Sequence, residues 1–256
     1  MVDKNQITKL YLSGMTTREV AATVGCSRSS AGRIVFLNGI SRPRKQRDKY
    51  RKSRGSSCKT LDASFVEYLD GLLLSDGHLS KFRGLSEASM YCQSSVSKEW
   101  LLKIQTYMFS YGIKSKITAD RRPQYKHGVC WVLTTNRYYE LGAIRQRWYQ
   151  ETKIVPLDLR LTPICVKNWL YGDGTLISGR ELRFCTDSFT RNEIDYLVKS
   201  LNGNYLVDFS RMFYGKSKFG IDKFRIKING KYGIEKFYKS LGECDVEYFK
   251  YKWFKN

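Results

Sequence analysis

Two aspartates carry the strongest chemical signal in this chain. Asp76 closes the apolar run Leu69-Asp-Gly-Leu-Leu-Leu-Ser-Asp-Gly77, and Asp173 closes Val166-Lys-Asn-Trp-Leu-Tyr-Gly-Asp-Gly174, 97 positions later. Each follows a small residue, Ser75 or Gly172. Small residues at helical spacing, Gly71 with Ser75 and then Gly172, let two helices approach backbone to backbone. Such packing sets a carboxylate at the end of each helix, facing its partner across a local twofold axis. Two carboxylates that close repel unless something neutralises them. A shared divalent cation does so, and ligation by oxygen alone favours Mg2+. The helix C-terminal dipole is negative as well, which strengthens the attraction for a cation. A single aspartate ending an apolar helix would read as a cap or a surface charge; its repetition makes it a candidate site.

Such a pair needs two copies of one scaffold, and the chain repeats itself from about residue 61. Tyr91-Cys92, followed by Ser97 and a predicted helix, returns as Phe184-Cys185 followed by Thr190 and a helix, at an offset of 93. Thr190 and Glu193 form a capping box that opens a helix over 191–201. Strands are predicted over 115–120 and 129–135 in the first copy, and over 204–213 and 223–228 in the second. Aromatic-rich helices over 137–149 and 231–241 close the copies. Each copy reads helix, strand, strand, helix, strand, strand, helix. The predicted fold class is α+β, a pseudo-twofold duplicated αββαββα body with halves over 61–160 and 161–256.

Residues 1–40 read as a small all-α unit. A helix over 6–13 puts Ile7, Leu10 and Tyr11 on one face, and Gly14 ends it. Thr16 and Glu19 make a capping box before a second helix over 18–24. Gly25-Cys26 turn the chain, Ser27 caps a third helix over 28–37, and Asn38-Gly39 stop it. The segment TTREVAATVGCSRSSAGRIV resembles the helix-turn-helix modules of resolvases and transposases. That resemblance implies that Arg28, Ser29, Ser30 and Arg33 face a DNA major groove. The plainer alternative is a helical hairpin that packs on the body. Residues 41–60 form a basic linker. Within it, residues 41–59 hold nine Lys or Arg against one acid, Asp48. Arg42, Arg44 and Lys45 are expected to track phosphates there, on a tether that orders on DNA.

Composition agrees with a polyanionic partner. The chain has 256 residues and a net charge of +21. Residues 1–60 hold 14 basic and 3 acidic residues, a net of +11, which leaves +10 for the body. Lys and Arg contacts to phosphate release condensed counterions, so such an excess points to nucleic acid. Seven scattered cysteines without a C-x-x-C pair read as free thiols, and two histidines, His78 and His127, are too few for a His-based nuclease or a zinc site. With no membrane-length apolar run and no signal-peptide core, a cytoplasmic protein is expected.

The two aspartate-bearing runs resemble the signature helices of LAGLIDADG homing endonucleases, of the single-chain kind with two motifs. Lys153-Ile-Val-Pro156 is similar to the K-x-x-P element that follows the first half in that family. Leu161-Thr-Pro163, and Phe184-Cys-Thr-Asp-Ser-Phe189 leading into Ile194-Asp-Tyr-Leu-Val198, fit as well. The resemblance covers residues 61–256. It implies that Asp76 and Asp173 bind the metal, with the backbone carbonyls of Ser75 and Gly172. The metal would be Mg2+, with Mn2+ or Ca2+ as substitutes for binding. Lys153 and Lys252 match the active-site lysines of the two halves. It further implies a monomer that cuts both strands of a long double-stranded DNA site across the minor groove, leaving short 3′ overhangs. Saddle-shaped sheets would read bases in the major groove. Candidate readers are Arg83, Lys116, Arg121, Arg122, Gln124, Lys126, Arg180, Arg183, Arg211, Lys216, Lys218 and Arg225.

Three departures stand out. Asn168 replaces a usual small residue, Trp169 is bulky, and Phe254 stands where Pro commonly follows the lysine near Lys252. His78 reads as a polar loop residue; Trp148, Tyr149, Tyr248 and Trp253 read as core. The rival functions are a DNA-binding regulator that lost cutting, an RNA maturase, and an intein endonuclease. Both acids and both lysines are present, which favours cutting over the first. The second can coexist with cutting. The third lacks its splicing blocks.

Overall fold

The computed structural model of the chain describes residues 3–41, 56–80, 87–120 and 129–253. It falls into two compact units, one holding residues 3–41 and the other built on the elements from residue 56 onward.

The small unit is three helices, α1 (Lys4–Leu12), α2 (Thr17–Val24) and α3 (Arg28–Leu37). Asp3 starts α1 two residues before the sequence suggests, because its carboxylate accepts from the Asn5 and Gln6 amides. The Thr16–Glu19 capping box forms, and Gly25 ends α2 at φ +69°, a left-handed conformation that glycine adopts without strain. Ser27 caps α3. Ile7, Tyr11, Val20, Ala21, Ala31 and Val35 make this unit's own core.

The larger unit repeats one topology. Its first half runs α4 (Ala63–Leu74), β1 (His78–Ser80), β2 (Met90–Ser95), α5 (Lys98–Ser110), β3 (Ser115–Asp120), β4 (Cys130–Thr135) and α6 (Tyr139–Trp148). The second runs α7 (Pro163–Asp173), β5 (Gly174–Ile177), β6 (Glu181–Phe184), α8 (Arg191–Tyr205), β7 (Phe209–Lys216), β8 (Asp222–Asn229) and α9 (Lys231–Leu241), and a 3-10 helix (Glu247–Lys252) follows. The strand orders are β1-β2-β4-β3 and β5-β6-β8-β7, and every pairing is antiparallel. The fold is thus α+β with two matching four-stranded sheets.

Two boundaries moved for local reasons. Helix α8 continues to Tyr205, where a strand is expected from residue 204. Leu206 then turns left-handed at φ 52°, and Asn202 brackets Phe209 with hydrogen bonds of 2.7 and 3.0 Å, so β7 begins only at Phe209. Tyr149 leaves α6 in an extended conformation and bridges to Lys153 instead of continuing the helix.

Paired residues share a face, so the register sorts each sheet into a core side and an open side. Tyr91 and Leu133 lie on the core side of the first sheet, and Leu182, Phe184, Phe209, Ile226 and Ile228 on that of the second. One apolar cluster joins both halves through α4 and α7. Among the described residues no helix is long and apolar enough to cross a membrane.

Candidate active site

Helices α4 and α7 touch backbone to backbone. A Cβ added at Gly71 would lie 2.1 Å from the Cys165 carbonyl oxygen and 2.8 Å from Asn168 Cβ. A Cβ on Gly172 would lie 2.4 Å from Ser75 Cβ. Only glycine fits at either place. Asn168, larger than the residue expected there, is accommodated because its Nδ2 donates to the Tyr68 carbonyl at 3.1 Å. Trp169 is fully buried with its ring 4.3 Å from that of Phe184.

This contact brings the two motif ends together. Ser75 is the buried residue that ends α4, and Asp76 follows it, exposed. Gly172 and Asp173 form the last turn of α7, and the Asp173 carbonyl accepts from the Cys185 amide at 3.1 Å. Asp76 and Gly172 border a cleft of about 440 Å³, together with His78, Tyr171, Tyr251 and Lys252. Burial and, next, the Asp76 charge push the Asp173 carboxyl up to about 7, against the pull of Lys153 and Lys252. The two acids therefore sense each other electrostatically.

Both lysines converge on the helix ends. Lys153 Nζ donates to the carbonyls of Ser75 (3.1 Å) and Gly77 (3.2 Å). Lys252 Nζ donates to those of Tyr171 (2.6 Å), Gly172 (3.1 Å) and Leu170 (3.4 Å). Burial lowers each ammonium to about 8, while Asp173 and Asp76 pull both back up. The carbonyls of Ser75 and Gly172, which the family resemblance makes metal ligands, thus each accept from a lysine. A carbonyl oxygen has two lone pairs, so one remains for a cation.

A divalent cation fits this donor set: two carboxylates that repel, carbonyl oxygens beside them, and no sulfur or imidazole ligand required. Among the described residues no group of three or more His, Cys, Asp or Glu could hold a metal. Any ion here would rest on the two aspartates, the carbonyls and water, a hard oxygen set suited to Mg2+.

The sheets sort the predicted DNA contacts. On the open side of the first sheet, Lys116 stands in a row with Thr134, Cys92 and His78. On the open side of the second, Arg183 pairs with Lys227, and Arg225 pairs with Met212. Arg225 lies 3.2 Å above the Tyr214 ring and reaches Asp187 at 3.4 Å, and Arg183 is held by Glu181. Arg180 is exposed in the β5–β6 turn, and Lys216 and Lys218 are exposed at the β7–β8 hairpin. Among the described residues the second sheet's open side is the more cationic. Arg28, Ser29, Ser30 and Arg33 are exposed on α3. Arg42, Arg44, Lys45, Arg83, Arg121, Arg122, Gln124 and Lys126 lie outside the described residues.

Three expectations need correction. Arg211 pairs with Ile226, on the core side; its Nε lies 2.8 Å from Asp195 of α8 and its guanidinium 4.6 Å from the Phe224 ring, so it ties sheet to helix. His78 is not in a loop but in β1, paired with Cys92 and facing the cleft; burial, then the Lys153 charge, lower its pKa. Tyr248 is not core, being 45% exposed, whereas Trp148 and Trp253 are buried.

Asp70 is a further buried acid that the sequence did not nominate. It is 1% exposed inside α4, accepts from Arg147 Nη1 (2.7 and 2.9 Å) and Trp148 Nε1 (2.7 Å), and fastens α4 to α6. Burial raises its carboxyl above the ordinary range, against those bonds. An acid between Leu69 and Gly71 in an apolar run was the available signal.

Comparison with known proteins gives a consistent picture. An uncharacterized protein of Methanocaldococcus jannaschii is 26% identical over 208 residues, 78% of each chain. A cytochrome b mRNA maturase of Debaryomyces hansenii is 26% identical over 155 residues, 57% of this chain and 59% of that protein. The solved structure of the homing endonuclease I-WcaI bound to its DNA recognition sequence has the same fold, with a TM-score of 0.64 at 20% identity, over 86% of this chain and 97% of that one. The model of the LAGLIDADG DNA endonuclease family matches residues 66–237, well over half of the sequence. The chain is therefore a member of the LAGLIDADG DNA endonuclease family.

Proposed function

We propose that this chain is a homing endonuclease that hydrolyses both strands of a long double-stranded DNA site, leaving short 3′ overhangs. The observation that carries this reading is the pair Asp76 and Asp173, brought together at the tips of two helices in backbone contact, with one lysine on each helix end. Asp76 and Asp173, with the carbonyls of Ser75 and Gly172, would hold the divalent cation. When bound, the cation supplies Lewis-acid stabilisation of the attacking and leaving oxygens. Lys153 and Lys252 hold positive charge beside the scissile phosphates and stabilise the charge that builds there. Arg183, Arg225, Lys116, Arg180 and Lys218 would contact the DNA through the sheets, and Arg28, Ser29, Ser30 and Arg33 would extend the footprint from the N-terminal unit. Both acids come from one chain, so a monomer suffices.

A second reading, assistance to intron RNA splicing, is favoured by the likeness to a cytochrome b mRNA maturase. One experiment separates them. Wild type, Asp76→Asn and Asp173→Asn are incubated with Mg2+ and a randomised DNA library. Discrete double-strand cuts, lost in both variants while binding survives, are expected. Sequence-specific binding without cutting in the wild type would refute the endonuclease and leave a regulator or maturase.

A further inference from the structure

Each lysine is delivered by a segment that crosses to the opposite half of the body. After α6, residues 153–161 leave the first half and lie along α8 of the second. The Val155 amide donates to Glu193 Oε1 at 2.7 Å, Tyr196 donates to the Leu157 carbonyl at 2.8 Å, and Tyr205 to the Leu161 carbonyl at 2.9 Å. After α9, residues 244–252 lie against α5 of the first half. The amides of Glu247 and Tyr248 donate to Glu99 at 3.0 and 3.2 Å, Lys103 pairs with Asp245, and the Phe249 and Trp100 rings meet edge to face.

Both glutamates sit in the first turn of the middle helix of a half, where the helix dipole favours a carboxylate. Glu193 divides its work. One oxygen caps its own helix through the Thr190 amide at 2.7 Å, and the other takes the amide two residues beyond Lys153. The repeat offset of 93 would place Glu193 opposite Trp100, and Glu99 opposite Asn192. The two clamps therefore occupy non-equivalent positions in the repeat; each half holds the other's segment in its own way.

We infer that Glu193 and Glu99 are positioning residues, each locking the lysine-bearing segment that the opposite half supplies, so that release of one clamp frees one lysine alone. This rests on the reading of Lys153 and Lys252 as groups of the cleavage site. Glu193 acts on the lysine that sits on the Ser75 and Gly77 carbonyls, and Glu99 on the lysine that sits on the Tyr171 and Gly172 carbonyls.

The test uses the full chain carrying Glu193→Ala, Glu193→Gln, Glu99→Ala or Glu99→Gln, read by amide hydrogen exchange and by strand-resolved nicking of a cleaved DNA. Glu193→Ala is expected to speed exchange over residues 153–157 about tenfold or more, the equivalent of one charge-assisted hydrogen bond, and to leave residues 245–252 as they are. Glu99→Ala is expected to do the reverse. Both oxygens of each glutamate accept an amide, and a Gln keeps only one acceptor, so either Gln variant is expected to fall between wild type and its Ala counterpart. The strand slowed by Glu193→Ala should be the strand slowed by Lys153→Met, and the double variant should be no slower than Lys153→Met. Loosening of both segments together, of neither, or equal slowing of both strands would overturn the inference. Should the wild type cut no DNA, the proposed function fails, while the exchange measurement still decides the clamp.

Discussion

Replacing Gly71 by alanine tests the helix contact on which the site depends. In an isolated helix the change would stabilise, since alanine loses less backbone entropy than glycine, by roughly 0.5–1 kcal/mol. Here the new methyl would stand 2.1 Å from the Cys165 carbonyl oxygen and 2.8 Å from Asn168 Cβ. The first of these is backbone and has no rotamer to escape into, so α4 and α7 must separate. A clash this short against backbone belongs near the top of the overpacking range, roughly 2–3 kcal/mol, leaving a net loss of about 1–2.5 kcal/mol. For a body of this size that lowers Tm by roughly 2–10 °C, at about 2–4 °C per kcal/mol. Gly203→Ala in α8 is the control, because nothing lies within 4 Å of its Cβ. It should raise Tm by about 1–4 °C on the same scale. Parting the helices also parts Asp76 from Asp173, and a misplacement of about 1 Å costs on the order of 100-fold in rate. Thermal unfolding and cleavage kinetics on the two variants make the comparison. A Gly71→Ala protein that melts and cuts like Gly203→Ala would refute the backbone contact.

Other perturbations reach different layers. Asp70→Ala strands Trp148 Nε1 and weakens the hold on Arg147, which keeps Asp158 at 2.7 Å. Loss of about 3 kcal/mol is expected by denaturant unfolding, and a loss below about 1 kcal/mol would show the pair to be dispensable. Asp173, pushed up to about 7, is protonated below that pH, so an incoming cation must displace the proton. Ca2+ affinity measured by calorimetry should therefore climb with pH below that pKa, by up to about tenfold per unit, and Asp173→Asn should flatten the climb. Above about 8 Lys153 and Lys252 discharge, so cleavage should decline there. Removing residues 1–55 takes away a strongly cationic stretch and should weaken DNA binding and flatten its salt dependence while the core still cuts. An inert or unfolded product would count against a separable N-terminal unit.

How far the sequence reaches depends on the range of the forces involved. Caps, glycine stops and apolar periodicity act within a turn or a strand. Thr16 with Glu19, Ser27, and Thr190 with Glu193 therefore announced their helices, and α3 and α9 begin and end where the residues imply. The repeat of an aspartate after a small residue likewise pointed to a duplicated body, because glycine at helix spacing lets two helix backbones approach closely. Other features needed the tertiary structure, because they join residues far apart in the chain. Strand register decides that Arg211 faces α8 while Arg225 faces outward, although both are arginines in neighbouring strands. Asp70 meets Arg147 across 77 positions, and Glu99 meets Tyr248 across 149. The perturbed acid and lysines owe their shifts first to burial. Burial belongs to the packed whole: a local pattern can nominate a charged group, but only the surrounding fold sets how much water and which other charges it keeps.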